Sequence, residues 1–247
     1  MFIRSPYVFL FVVLILNSLN VMCAEMTRTD VESLLAKATV EHPANLRRKD
    51  LTDLDLSGLD FRHADLWGTD FRRSNLNRSN LKGLNLDLTV MTSVKLSGAD
   101  LSNTSIFGVS LMRADLSHAN MSGSRVVAIM DGANLTGANL SHVDWAADMK
   151  NQSMGLMRVS LKGANLTDVD FTQAKLARAM LKHAKLNNAN LQGADLYSAE
   201  MDGVDLSGAN LTNANFSHAK LHDAKLTNAI TQGANFTDAQ NVPTLPQ

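Results

Sequence analysis

The residues of this 247-residue chain that might do chemistry are its seven histidines, its single cysteine and its many serines, and their spacing argues against each use. His63, His118, His142, His183 and His218 recur at the last place of a five-residue unit. They therefore fall on different sides or on turns of chain too far apart to share a metal. Cys23 cannot join them, and no His-x-x-x-His or paired-Asp motif occurs, so no metal and no other cofactor is expected. The serines sit in turn positions, without a Gly-x-Ser-x-Gly elbow or a histidine set to activate one. No catalytic residue is expected, and the chain does not read as an enzyme. Glycines such as Gly58, Gly98, Gly163 and Gly203 mark corners rather than a phosphate-cradling loop before a helix. Ten Asn-x-Ser/Thr triplets, Asn134, Asn165, Asn210 and Asn235 among them, are generated automatically by units such as A-N-L-T. In a eukaryotic secretory pathway their outward side chains would be glycan acceptors. What remains is one irregular place, where Trp145 stands near Met130, Met149, Met154 and Met157. One reading is a bulge filled by flexible methionines; the other is a protruding loop that carries an aromatic anchor for a partner.

The elements that must position these residues follow from the period. From residue 44 to about 238, Leu, Phe or Met stands at every fifth place, as in ADLWG (64–68) and ANLQG (189–193). Five residues advance about 140° around an α-helix, so the apolar residues would spiral and leave no stripe. A flat strand fails as well, because an odd spacing puts successive leucines on opposite faces. A short extended stretch with a corner in every quintet resolves both. First and third residues point inward, second and fourth outward, and the fifth turns the chain. Four sides close a square coil of about 20 residues, stacked at the strand spacing of about 4.8 Å. The residue types agree. Positions 181 to 226 carry the inward column L-L-L-L-M-L-L-F-L-L, and two places before each stands Ala, Val204 excepted. A narrow square interior holds one large and one small side chain per side. The fold class is all-β, a β-solenoid.

The A(N/D)LXX signature resembles that of the pentapeptide-repeat family, over about four-fifths of the chain. The resemblance implies a right-handed quadrilateral β-helix. It also implies, as one activity, DNA mimicry: an acidic rod, dimerised through a carboxy-terminal helix, that occupies the DNA groove of gyrase. Three features depart from that activity. The net charge is −1, with Arg47, Arg48, Lys49, Arg72, Arg73 and Arg78 interrupting any acidic face. No carboxy-terminal amphipathic helix is legible, and the amino terminus reads as an export signal. Direct nucleic-acid binding is not expected either, since there is no basic surplus.

Residues 1–24 combine Arg4, an apolar core at 8–16 and a cleavage zone at 21–24, the pattern of a signal peptide. Residues 25–43 form a linker and capping helix, with Thr29 and Glu32 as a capping box and Val31, Leu34, Leu35 and Ala38 on one face over the first coil. Lys49 there takes an inward slot that Ala fills elsewhere. A first repeat block covers 44–123, irregular central coils 124–158, a second block 159–240, and a proline-containing tail 241–247. The centre is one residue short at 124–127 and one long at 148–153, so the phase is restored. If each irregular stretch makes one side, the rod has nine to ten coils and is roughly 45 Å long. One outward column then runs Arg62, Lys82, Ser102, Ser122, Ser141, Lys162, Lys182, Asp202, His222, and another runs Asn165, Lys185, Asp205, Lys225. The expected function is a non-enzymatic scaffold, exported to the periplasm or secreted, that meets a protein or cell-envelope polymer along a flat face. DNA mimicry is one alternative. The other is an envelope protein held to the membrane by an uncleaved amino-terminal segment.

Overall fold

The computed structural model describes residues 26–147 and 158–244. Residues 1–24, read above as a signal peptide and containing Cys23, and Met149, Met154 and Met157 lie outside the described residues.

One quintet shows how the chain turns. In the unit 179–183, Ala179 and Leu181 are fully buried, while Met180 and Lys182 point outward. His183 adopts φ 57°, and the N–H of Ala184 donates to the Leu181 carbonyl at 3.0 Å. The fifth residue thus closes a tight turn of the kind that needs positive φ at its third place. That requirement explains why Gly, Asn, Asp and His recur there. The Leu181 N–H donates to the Glu200 carbonyl at 2.7 Å, and the Met180 N–H to that of Val159 at 3.1 Å. Each side is therefore pinned to the coil after it and the coil before it. The second residue of the quintet is chosen by the same geometry. The Asn165 Oδ1 accepts from the Thr167 N–H at 3.3 Å and from its hydroxyl at 2.8 Å, and Asp205 does the same with Ser207. Asn and Asp make this local turn-stabilising bond, whereas longer side chains do not.

The result is a right-handed quadrilateral β-helix with four flat faces. Face A stacks Asn45, Asp65, Asn85, Ser105, Arg125, Asp144, Lys175, Asp195, Asn215 and Asn235. Face B stacks Asp50, Asp70, Val90, Ser110, Ile129, Ser160, Met180, Glu200, Lys220 and Gln240. Face C runs from Asp55 to Lys225 and contains the sequence Asn165, Lys185, Asp205, Lys225 expected above. Face D runs from Asp60 to Ile230. Inside, the Leu column is fully buried, from Leu46 through Leu221. In the first block many small inward slots hold hydroxyls instead of Ala, a feature the alanine column of the second block gave no sign of. Thr69, Thr89 and Thr104 are buried and donate to the carbonyls of Leu46, Leu86 and Leu101 at 2.7, 2.6 and 2.7 Å. Their burial carries no desolvation penalty for that reason.

The amino-terminal helix α1, Arg28–Leu35, covers the first coil, but its cap differs from expectation. Thr27, not Thr29, is the N-cap, and Asp30 completes the capping box. Two overlapping Thr-x-x-acid patterns exist, and the earlier one lets Arg28 reach the carbonyls of Asp55 and Ser57 at 2.9 and 3.2 Å. Val31 is buried and Leu35 and Ala38 pack on the core, whereas Leu34 is exposed.

The waist is where the regular coil breaks. Regular sides show only as short bridges, β1 (Ala44–Asn45) and β2 (Ala64–Asp65). Here two longer strands, β3 (Ser105–Ser110) and β4 (Arg125–Ile129), run continuously round the corner between faces A and B. They pair in parallel with the expected missing residue opposite Gly108. The second slip is larger than expected. Ile129 bridges Ser160, and Asp144 bridges Lys175, thirty-one residues on in each case where a regular coil takes twenty. The register thus carries eleven extra residues, not one, between Asp144 and Ser160. Face B therefore continues from Ile129 to Ser160, and the long outward column expected above is two half-columns. Arg62, Lys82, Ser102, Ser122 and Ser141 lie on face D, whereas Lys162, Lys182, Asp202 and His222 lie on face B.

Leu181→Ala is expected to lower unfolding free energy by about 2–5 kcal/mol. Lys182→Ala, which loses a half-exposed pair with Asp202, should change it by under about 1 kcal/mol. Denaturant melts of both variants check the inward and outward assignment.

Candidate functional site

The two irregularities fall at the same corner, between faces A and B, on consecutive coils. A side shortened by one residue has no fifth residue with which to turn. The chain cuts across the corner instead, and Val127 and Ala128, successive residues, are both buried. The surface beside them is indented. A cavity of about 380 Å³ lies there, lined by Gly108, Val109, Ser110, Val127, Ala128, Ile129, Arg158, Ser160 and Met180. The eleven extra residues of the register fall between Asp144 on face A and Ser160 on face B, at this corner.

Around the groove the surface is apolar to an unusual degree for this rod. Leu88 and Ile129 are each 48% exposed, and Val90 and Met112 each 36%. Half of the large exposed hydrophobics among the described residues thus sit within three consecutive coils, Leu88 at the corner between faces A and B and the other three on face B. Scattered surface apolar residues mean nothing, but a contiguous patch signals an interaction site. Its rim is charged. Arg158 pairs with Glu200 at 3.0 Å and also donates to the Arg178 carbonyl at 3.4 Å. Lys182 pairs with Asp202 at 3.0 Å. Towards the amino end Asp70 pairs with Arg72 at 2.6 Å.

Trp145 does not take part as a surface anchor. It fills a Leu slot of face A, is fully buried, and meets Phe171 edge to face with centroids 6.2 Å apart. Its Nε1 donates to the buried Ser124 Oγ at 3.2 Å. The indole closes the core one coil beyond the short side, and this corrects the expectation of an aromatic anchor on a loop. The surface patch next to it was missed because its members, Val90, Met112 and Ile129, stand one to a coil in outward slots, about twenty residues apart in the sequence. The sequence signal that was available was the rarity of apolar residues at second and fourth places.

Elsewhere the surface is organised by charge pairs between coils. Trp67, half-buried on face A, lies under the guanidinium groups of Arg47 and Arg48, 4.8 and 4.7 Å from its ring centre. Arg47 also reaches Asp65 at 3.1 Å, and Arg73 binds Asp53 one coil away. The histidines stay apart, and no cluster of His, Cys, Asp and Glu among the described residues has the geometry to hold a metal ion. Several aspartates are held below the usual carboxylate range. For Asp55 the cause is the hydrogen bonds from Ser57, for Asp50 those from Thr52, and for Asp53 the bond from Arg73.

A square β-helix of quintets defines a class: a rigid repeat scaffold. A family model for pentapeptide repeats matches residues 44–126 and 156–240, and the chain belongs to that family. Among solved structures it is similar to HetL, a pentapeptide repeat protein involved in heterocyst differentiation regulation in the cyanobacterium Nostoc sp. strain PCC 7120. The two are 31% identical over 87% of this chain and 96% of that one, with a TM-score of 0.36. It is similar as well to a trypsin-treated variant of QnrB1, a plasmid-mediated fluoroquinolone resistance protein, at 17% identity over 76% and 90% of the two chains. The TM-score there is 0.52, a likeness of fold alone. A third neighbour is a pentapeptide repeat protein of the Arabidopsis thaliana thylakoid lumen, 26% identical over 36% of this chain and 68% of that one, with a TM-score of 0.25. No curated protein sequence matches.

Trp145→Ala is expected to destabilise the waist by about 3–5 kcal/mol, and Trp145→Phe by less, since one aromatic ring is kept and the pyrrole half with its Ser124 bond is lost. Thermal unfolding of the two variants checks the order. Because the folded aspartates titrate below their unfolded value near 3.8, their contribution is complete above that value and is lost as pH falls through the lower folded values. Melting temperature should therefore hold from neutral pH down to about 4.5 and fall steeply below about 4. A melt series in acetate and glycine buffers checks it.

Proposed function

We propose that this protein is a non-enzymatic interaction scaffold that works outside the cytoplasm and receives a protein partner on face B. The observation that carries the reading is the exposed apolar cluster of Leu88, Val90, Met112 and Ile129 beside the groove that Ile129 lines with Val127, Ala128 and Met180. Rigid solenoids suit this task, since a flat face needs no ordering on binding. The amino-terminal signal pattern at 1–24 supports export, with the mature chain beginning after Cys23 or Ala24. The site chemistry supports recognition rather than turnover: no activated nucleophile and no acid–base pair converge on the groove. A DNA mimic needs a dense field of unpaired negative charge. Here Asp53, Asp60, Asp65 and Asp70 are each paired with an arginine, and mimicry finds no support in the surface.

The reading is tested by placing a photo-crosslinking residue at Ile129 and, as control, at Asn190 on face D, in cells fractionated before illumination. A discrete protein adduct at Ile129 only, in the exported fraction, on a chain lacking residues 1–23 or 1–24, is the expected result. Equal labelling at both positions, or an intact chain confined to the cytosol, would overturn it.

A further inference from the structure

We infer that Arg158 is a strap across face B: bound to Glu200, its side chain closes the carboxyl side of the groove over Met180, and its release opens the groove by one coil. Arg158 stands immediately before Val159, the buried first residue of its side. Because Ser160 pairs with Met180, Arg158 lies one coil before Arg178, at the same corner between faces A and B. Its Nη1 donates to the Arg178 carbonyl at 3.4 Å, and its Nη2 donates to Glu200 Oε1 at 3.0 Å. Glu200 follows Met180 in the second-place column. The side chain therefore passes across the coil that carries Met180, and the bridge spans two rungs, about 10 Å at the strand spacing. Ion pairs such as Arg47–Asp65, Arg73–Asp53 and Lys182–Asp202 join adjacent coils instead.

Holding a long arginine in one geometry costs rotamer entropy. Two separate acceptors offset it, and so does burial: the two side chains are only 28% and 23% exposed, and a pair so placed is screened less than one in open water. The effect of the reach is seen at Met180. Its slot points outward as that of Ile129 does, yet Met180 is half-buried whereas Ile129 is 48% exposed. Both residues line the groove, together with Ser160 and Arg158. Val90, Ile129 and Met180 are apolar members of one column, and Met180 is the one with an arginine drawn across its coil. Release strands neither charge. Lys220 lies on the rung after Glu200, within reach of its carboxylate, and the freed guanidinium extends into water. Face B thus has a closed and an open form that differ in the length of apolar floor on offer. The strap belongs to the free protein and holds whatever docks there.

Methionine oxidation by dilute hydrogen peroxide, followed residue by residue with peptide mass spectrometry on the purified protein, tests the strap, because a thioether reacts when peroxide reaches it. Met112, 36% exposed, is the open reference, and Met201, fully buried, the closed one. In the unaltered chain Met180 should react several-fold more slowly than Met112. Arg158→Ala should raise its rate several-fold, towards that of Met112. Glu200→Gln, which keeps the size of the side chain and removes its charge, should raise it in the same direction. In the Arg158→Ala background Glu200→Gln should add nothing, since both changes remove one contact. Met112 and Met201 should keep their rates throughout. A Met180 rate equal to that of Met112 in the unaltered chain, no rise in either variant, or effects of the two changes that multiply would overturn the strap. The rates are read with no partner present, so they stand apart from the crosslinking test of docking on face B.

Discussion

Everything in this protein depends on backbone hydrogen bonds made between residues twenty apart. Each side of the coil donates forward from its central residue and backward from its second residue, as Leu181 does to Glu200 and Met180 does to Val159. These ladders stay in register only if all four sides have the same length. Five residues per side satisfies this because the fifth can take positive φ and turn the chain, while the first and third fill a square interior. The composition is a consequence: Leu with Ala inside, Asn and Asp where a side chain must bond its own backbone, Gly and Asn at corners. A single coil buries too little to offset the roughly 1–2 kcal/mol of backbone entropy per ordered residue, so stability belongs to the stack.

The same constraint explains why the waist is informative. A side one residue short cannot turn, and a stretch eleven residues long cannot stay in the wall. Both defects sit at one corner, where the coil loses its regular outline and exposes apolar side chains. The core compensates locally, with Trp145 filling the wide space and bonding Ser124. The outside is not covered in this way. The proposed role rests on that difference between the filled core and the exposed apolar side chains beside the groove.

Much of this was legible in the sequence. Period five dictated the square coil, the buried Leu181 column and the charge ladder of Asn165, Lys185, Asp205 and Lys225, and the pairing of sides bears these out. The capping helix was legible in place but not in its first residue, because Thr27 and Thr29 each begin a capping pattern and tertiary contacts of Arg28 decide between them. The length of the insertion was not legible. One extra residue and eleven leave the same phase modulo five, so periodicity cannot separate a lengthened side from a loop outside the wall. That ambiguity assigned Lys162 and Lys182 to the wrong face and hid that Ser160 and Met180 continue face B beyond Ile129. Trp145 illustrates a second limit: a tryptophan in an irregular stretch looks the same whether it faces partner or core, and only its neighbours Ser124 and Phe171 decide.

The register across the waist is the claim on which the docking surface stands, and paired cysteines measure it directly. In a Cys23→Ser background, Asn139→Cys with Asp170→Cys places the two residues on adjacent rungs of face D, within disulfide reach. Rapid oxidation of that pair, with Asn139→Cys and Ser160→Cys remaining reduced, is the result this account predicts. The opposite outcome would mean that the inserted residues form sides of the coil, that Ser160 does not follow Ile129 on face B, and that the apolar patch is not assembled as described.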